Sequence, residues 1–380
     1  MLLVVDSLAP GGAERHVVDL ARALTAAGHA VTVACSMGGP LAADLVCAGV
    51  RVEVLLDRLV KRRFSPAFAR RLRALVRRER FDLVHAHIYA SATAAAAAVA
   101  GSRVPLVMTD HTEAPWRGPS ARLLSRLAYR RADHVIAVSS AIRRQLLEQF
   151  GMPPDRVTYV PNAVTPMAAG AADPPLPASC RRSFLIGRVA RLAPEKGFDV
   201  FLRAAATVSA HEPHAHFAVV GDGPLREELH VLAHTLGIAD RVHFLGHRDD
   251  ARALIGRLDM LVVSSLTDGS PLVNLEAMAA GTPVIASACG GIPDQIRDGA
   301  DGLLVPPGDA DALARAMRRV MRDEALARRL CDSAMRRAET EFAYVAMIAR
   351  IETCYRFAAG ARRRSAESHA TTVPSRLRVQ

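Results

Sequence analysis

Short apolar runs of strand-forming residues recur along this chain in two series, with helical patterns between them. The first series occupies 2–5, 30–34, 50–55, 83–85, 106–109 and 135–138; the second occupies 184–189, 216–220, 242–244, 260–263, 284–286 and 302–305. Between the first two runs, residues 14–27 read as a helix that Gly28 ends. Strands alternating with helices of this kind wind into a parallel sheet through right-handed crossovers. Two series therefore predict an α/β chain of two Rossmann-like β/α/β domains facing across a cleft. In such open sheets ligands meet the loops at the carboxyl ends of the strands. A chain of 380 residues is also too long for one ordinary core.

The pattern lapses between the series. Residues 165–182, TPMAAGAADPPLPASCRR, are rich in Pro and Ala without a period and read as a linker. The expected organisation is a first domain over 1–164, that linker, a second domain over 183–340, a terminal helix over 341–360, and a disordered basic tail over 361–380. Aromatic residues make up only 4% while half the chain is hydrophobic, so the cores must be aliphatic and Ala-rich. No apolar run reaches the roughly 18 residues of a membrane span. The opening MLLVVDSL has no basic n-region and reads as a strand, not a secretory signal. Six cysteines without a C-x-x-C pair point to a reducing cytoplasm and away from structural zinc.

Charge is unevenly placed. The total is +11, and residues 1–164 hold 22 Lys+Arg against 13 Asp+Glu, leaving 27 against 25 for the remainder. The excess concentrates in 61–80, KRRFSPAFARRLRALVRRER, with nine bases and one acid. Phe64, Phe68, Leu72 and Leu75 recur there at helical spacing, with Arg70, Arg71, Arg73, Arg77 and Arg78 on the other sides. A basic amphipathic helix can lie on an anionic membrane, and it can equally be a surface helix packed by its apolar face. Nucleic acid is not expected, since no nucleic-acid motif accompanies the charge.

The densest chemistry lies in 261–287, LVVSSLTDGSPLVNLEAMAAGTPVIAS, which reads as strand, loop, helix, strand. The loop delivers backbone N–H groups to a helix N-terminus, which suits a phosphate. Asp268 and Glu276 bracket the loop, and Asp268 is also placed to cap the helix. Pro271 suits a first helical position. In GRVARLAPEKG, a turn around Pro194 would let Arg191 and Lys196 converge on one anion, while Arg188 belongs to the preceding strand. Gly221-Asp222-Gly223 forms a turn after a strand, and Gly11 and Gly12 permit close backbone approach after the first strand. His111 ends a strand, with His85 and His87 at the end of another. Asp309-Ala310-Asp311 reads as a helix cap, and His211, His214 and His216 lack zinc-ligand spacing.

These segments together resemble the retaining GT-B glycosyltransferases, in particular the family 4 group, over roughly residues 1–360. The resemblance rests on D-x7-E with its SPLVNLEAMAAGTPVIAS flank, R-x4-K in RLAPEKG, and the G-G-x-E loop of GGAERH. HAH, AVSSAIRR and PNAV add to it. It implies transfer of a sugar from a nucleotide-diphosphate-sugar, with retained configuration, to a glycan or lipid-linked acceptor in cell-surface polysaccharide, lipopolysaccharide or glycolipid synthesis. Arg191 and Lys196 would hold the diphosphate, the amides around Ser270, Leu272 and Val273 would cradle phosphate, and Glu276 would bind the ribose. Asp268 and His111 would contact the transferred sugar, with Gly11, Gly12 and Gly221 beside the donor. No metal and no cofactor is implied. The place of action would be the cytoplasm, peripheral on the inner face of the cytoplasmic membrane, with residues 61–80 toward an anionic surface. Relatives usually carry Glu where this chain has Asp268, which bears on donor identity. The alternatives are an enzyme like UDP-N-acetylglucosamine 2-epimerase, or a degenerate nucleotide-sugar-binding protein.

Overall fold

The computed structural model describes residues 1–113, 116–164, 174–180 and 183–371, with side chains for all but Ala178 and 363–371. The chain forms two compact units, Met1–Val160 with Ile348–Gln380, and Pro161–Met347. The first unit runs β1 (Leu2–Ser7), α1 (Gly12–Ala26), β2 (Thr32–Met37), α2 (Ala42–Cys47), β3 (Arg51–Val54), α3 (Pro66–Glu79), β4 (Val84–His87), α4 (Tyr89–Ala98), β5 (Leu106–Asp110), α5 (Pro119–Arg131), β6 (His134–Ala137), α6 (Ser140–Glu148) and β7 (Val157–Tyr159). Its strands pair in parallel in the order β3-β2-β1-β4-β5-β6-β7. Val157–Tyr159 was not anticipated, because Thr158 interrupts a run of three residues at the sheet edge.

The second unit runs β8 (Phe184–Val189), α7 (Phe198–Ser209), β9 (Ala215–Val220), α8 (Arg226–Thr235), β10 (Val242–Gly246), α9 (Ala251–Ile255), β11 (Met260–Val263), α10 (Leu272–Ala280), β12 (Val284–Ser287), α11 (Ile292–Gln295), β13 (Leu303–Val305), α12 (Ala310–Arg322) and α13 (Glu324–Thr340). Its parallel order is β10-β9-β8-β11-β12-β13. Both sheets are the product of the alternation read in the sequence, since strands buried on both faces are continuously apolar. Leu2 through Val5 and Met260 through Val263 are wholly buried.

The first unit closes at Val160, earlier than the expected 164. Val164 N–H donates to Phe342 O at 3.0 Å and Val164 bridges Ala343 in parallel, which ties 161–164 to the second unit. The linker expected over 165–182 lies largely outside the described residues; within it a 3₁₀ turn at Ala178–Cys180 buries Cys180. A last helix, α14 (Tyr344–Thr371), returns the chain to the first unit. The tail expected over 361–380 is therefore helical up to Thr371, where Ala, Arg and Glu outweigh a single Gly360. Residues 372–380 lie outside the described residues. Among the described residues no helix is long and apolar enough to cross a membrane.

Helix α3 corrects one sequence expectation. Ser65 Oγ caps it by accepting from Phe68 N–H, and Pro66 occupies its first turn. Phe68 and Leu72 are wholly buried, with Leu75 and Val76 nearly so, in the core that α4 shares. The apolar face is spent inward and cannot lie on a membrane. What α3 shows to solvent is charge, with Arg70, Arg71, Arg77 and Arg78 all exposed. Alanines make α4 thin enough to be enclosed, Ala90, Ala94 and Ala95 being wholly buried.

Candidate functional site

In the second unit the loops after β8, β9, β11 and β12 interlock backbone to backbone. Leu192 N–H donates to Asp222 O, Leu266 N–H to Glu195 O, and Gly291 N–H to Asp268 O, at 2.9 to 3.0 Å. The contacts require glycine. At Gly290 (φ +54°) a Cβ would sit 1.9 Å from Asp268 O, and at Gly221 (φ +130°) the same distance from Ala190 O. Gly221 thus serves close packing of two loops of the protein itself.

Three charged residues organise this end of the sheet. Arg188, in β8 as expected, is 1% exposed and donates to Lys196 O (2.9 Å) and Ser265 Oγ (3.0 Å). Its guanidinium also faces the Phe198 ring at 5.1 Å. Burial pulls its pKa down to about 10, with Asp268 opposing, so it remains a cation at neutral pH. Lys196 Nζ donates to Asp268 Oδ2 at 2.6 Å, and Ser265 Oγ donates to the same oxygen at 3.2 Å. Asp268 is not a helix cap; that position belongs to Pro271, one residue before the first helical position expected for it.

Arg191 and Lys196 are each paired with a carboxylate of the protein. Arg191 is half exposed and donates to Glu195 Oε1 at 2.6 Å, one helical turn's spacing away, so each cation of this turn has its own acid. The loop holding Asp268 leads into α10, whose N-terminus has no side-chain cap and keeps its first amides for other acceptors. Leu272 and Val273 open α10, and Glu276 lies half-buried a turn further on.

A buried amide network, not foreseen from the sequence, fixes this entry. Asn162 Nδ2 donates to Ser270 O (2.8 Å), and Gln295 Nε2 to Ser270 Oγ (3.0 Å) and Pro271 O (3.1 Å). Asn274 Nδ2 donates to Gln295 Oε1 at 3.0 Å. Arg337, buried against Asp301 at 3.0 Å, donates to Gln295 O at 2.7 Å and anchors the set. The one signal available was polar residues inside apolar helical pattern, as at Asn274. Asp309 caps α12 by accepting from Ala312 N–H at 2.8 Å, as its position before a helix implied.

In the first unit, α1 begins at Gly12 with Gly11 as its cap in extended conformation. The missing Cβ of Gly11 leaves room for Glu14, whose Oε2 would lie 2.2 Å from it, while Gly12 faces open space. Burial raises the Glu14 pKa. Around the ends of β4 and β5 gather four imidazoles. His85 bonds Thr109 Oγ1 (2.7 Å) and Tyr355 Oη (2.8 Å) through its two ring nitrogens. His87 Nδ1 meets His111 Nε2 at 3.1 Å. His16 of α1, which no sequence motif singled out, joins them, its ring 5.0 Å from that of His111. Burial holds His85 and His87 well below the usual range and His111 at about 3, so all three are neutral at physiological pH. Neutral imidazole both donates and accepts, which suits a hydroxyl partner. His16, His87 and His111 also offer nitrogens within 4.8 Å of one another, an arrangement able to ligate a metal.

Comparison with known proteins decides what these two units are. Residues 10–167 match the model of Glycosyltransferase Family 4, and residues 181–337 that of Glycosyl transferases group 1. The chain is 32% identical to a phosphatidyl-myo-inositol mannosyltransferase of Mycolicibacterium smegmatis, over 83% of each chain. It belongs to the family 4 GT-B glycosyltransferases. A D-inositol 3-phosphate glycosyltransferase of Salinispora arenicola is 32% identical over 68% of this chain, which spans 65% of that relative's length. Among solved structures, HepE of Anabaena in complex with UDP-glucose is similar with a TM-score of 0.80 and 25% identity, over 93% of this chain and 98% of HepE. Two Rossmann-like parallel-sheet units are the GT-B fold, and the ion pair of Lys196 with Asp268 lies within the group 1 half of this family 4 chain.

Proposed function

We propose that this chain transfers a glycosyl group from a nucleotide-diphosphate-sugar, with retention of configuration and without a metal, to a glycan or lipid-linked acceptor of the cell surface. The observation that carries this is the pairing of Lys196 with Asp268 in the loop that opens α10. An ammonium group has three N–H donors. One is directed at Asp268 Oδ2, leaving two for an anion, while Asp268 Oδ1 keeps the capacity to accept from a sugar hydroxyl. A single contact thus holds a cation for a leaving diphosphate beside an acceptor for the sugar it leaves. The amides of Leu272 and Val273 at the uncapped α10 terminus add donors and partial positive charge. Fixed donors placed where negative charge develops supply the largest stabilisation in many transfers.

Arg191 would reach the diphosphate by exchanging Glu195 for phosphate, Glu276 would bind ribose, and neutral His111 would meet the transferred sugar. Binding of UDP-glucose by HepE makes UDP the first nucleotide to try. The mannosyltransferase relative is named for a phosphatidyl-inositol acceptor, and the exposed cations of α3 fit action at an anionic membrane surface.

The test is a thermal-shift series of UDP, GDP and ADP and their sugars, with chelator present, followed by transfer assays and NMR of the product anomer. A ligand at 100 times its Kd stabilises by about 2.7 kcal/mol. One nucleotide standing out without metal supports the reading; sugar turnover that needs no acceptor favours an epimerase, and no response to any nucleotide counts against a working donor site.

A further inference from the structure

Helix α5 carries an exposed apolar pair that its own unit does not cover. Leu123 is 60% and Leu127 54% exposed, one turn apart, on a helix whose inward side buries Ser125, Ala128 and Tyr129. Arg122, Arg126 and Arg130 are exposed beside them at the same spacing. Among the described residues none of these arginines has an acidic partner; Arg122 donates to Arg117 O and Arg126 to Gln149 O, each by a single guanidinium nitrogen. The face continues into an open groove of about 480 Å³, lined by Pro119, Arg122, Leu123, Arg126, Gln149 and Phe150.

The turn that leads into α5 adjoins the basic segment that precedes α3. Helices α3 and α5 both pack on the enclosed α4. At their leading ends, the Arg62 guanidinium lies 5.5 Å from the ring of Trp116, which is half-buried and opens the turn into α5. Lys61, Arg62 and Arg63 are exposed there. Tryptophan with an apolar body and a polar edge favours the water–lipid boundary.

We propose that α5, led by Trp116, is the element that enters an anionic lipid bilayer, with Leu123 and Leu127 below the headgroups and the arginines of α5 and α3 among them. The proposal rests on the membrane reading above and assigns its parts: α3 contributes charge alone, because its apolar side is in the core, and α5 contributes the insertion. An anionic bilayer is the partner because leucines alternate with unpaired cations on one helix face.

Trp116 is the only tryptophan of the chain, so its emission reports on this site without labelling. The intact protein is mixed with vesicles of phosphatidylcholine alone or with 30% phosphatidylglycerol, across KCl concentrations. Expected are a blue shift and quenching by brominated lipid on the anionic vesicles only, and a bound fraction that persists at high salt. Leu123→Ser/Leu127→Ser, both exposed and so compatible with folding, should cut partition about tenfold or more and make what remains fully salt-sensitive. Arg70→Gln/Arg77→Gln should weaken binding at low salt and spare the Trp116 shift in what still binds. If the leucine variant partitions like the parent while the α3 variant fails, the insertion by α5 is overturned and electrostatic adsorption stands. If the parent ignores anionic vesicles at low salt, the membrane reading falls with it. Equal binding to neutral vesicles would overturn the choice of anionic lipid.

Discussion

Lys196 and Asp268 occupy a 2.6 Å contact that Arg188 supports from beneath through Lys196 O and Ser265 Oγ. Removing the ammonium should remove both its charge toward a leaving group and the orientation of Asp268. Lys196→Ala is expected to lower kcat/KM about a hundredfold, equivalent to roughly 3 kcal/mol, with little change in Tm; a loss below threefold in steady-state assays would remove Lys196 from the diphosphate. Asp268→Glu lengthens the acid by one methylene and should alter the preference among sugar donors more than the total rate, as competition between two donors would show. The residues of this contact were legible because acids and bases recur at fixed spacing around the strand–loop–helix pattern. Their pairing was not legible. Sequence spacing gave the two cations of this turn but not their acids, Glu195 for Arg191 and Asp268 for Lys196. Nor could a sequence show Gln295 reaching Ser270 and Pro271, a contact made across separate elements.

Elements translate these contacts into shape. Gly290 lets the loop after β12 touch the carbonyl of Asp268, so Gly290→Ala should cost about 2 kcal/mol or more through both its positive φ and the clash. A melting curve within one degree of the parent would refute that fit. In the first unit, His134 of β6 bonds Thr158 of β7 through Nε2 at 2.8 Å, while its buried Nδ1 has no hydrogen-bond partner among the described residues. Protonation would bury an N–H with no acceptor, and burial together with Arg156 lowers the pKa to about 4. Because the folded pKa lies below the unfolded value near 6.5, the unfolded state binds the proton first. Stability from this site is complete above pH 6.5 and declines as pH falls toward 4. Urea titrations should show that slope weakened in His134→Gln. Strand and helix positions came readily from apolar runs, since strands buried on both faces have no alternation to misread. What could not be read was the side of α3 that the core claims; a basic amphipathic pattern looks the same whether its apolar stripe meets protein or lipid.

At the scale of the whole molecule, two sheets of the same winding were foreseeable from two series of runs, as was a late helix set apart from the second series. The reach of α14 was underestimated because Arg and Glu at its end look polar and patternless while favouring helix. That helix gives the first unit Ile351, Cys354, Tyr355 and Ala358, all buried, and the hydroxyl that bonds His85. Tyr355→Phe should destabilise by about 1 to 3 kcal/mol, the value of a buried hydrogen bond lost with one partner left in place. A change under a few tenths in chemical denaturation would show that His85 finds another partner.

The position of α14 in the chain has a consequence for biogenesis. Residues 161–347 interrupt the first unit, and its closing helix is translated only after them. At about 5–20 residues per second, a ribosome would hold the first unit without that helix for on the order of 10 to 40 seconds. The interrupting segment can meanwhile emerge whole. During that interval the half that starts first is the half that finishes second, with the His85 and His134 side chains still lacking Tyr355 and Phe357 beside them.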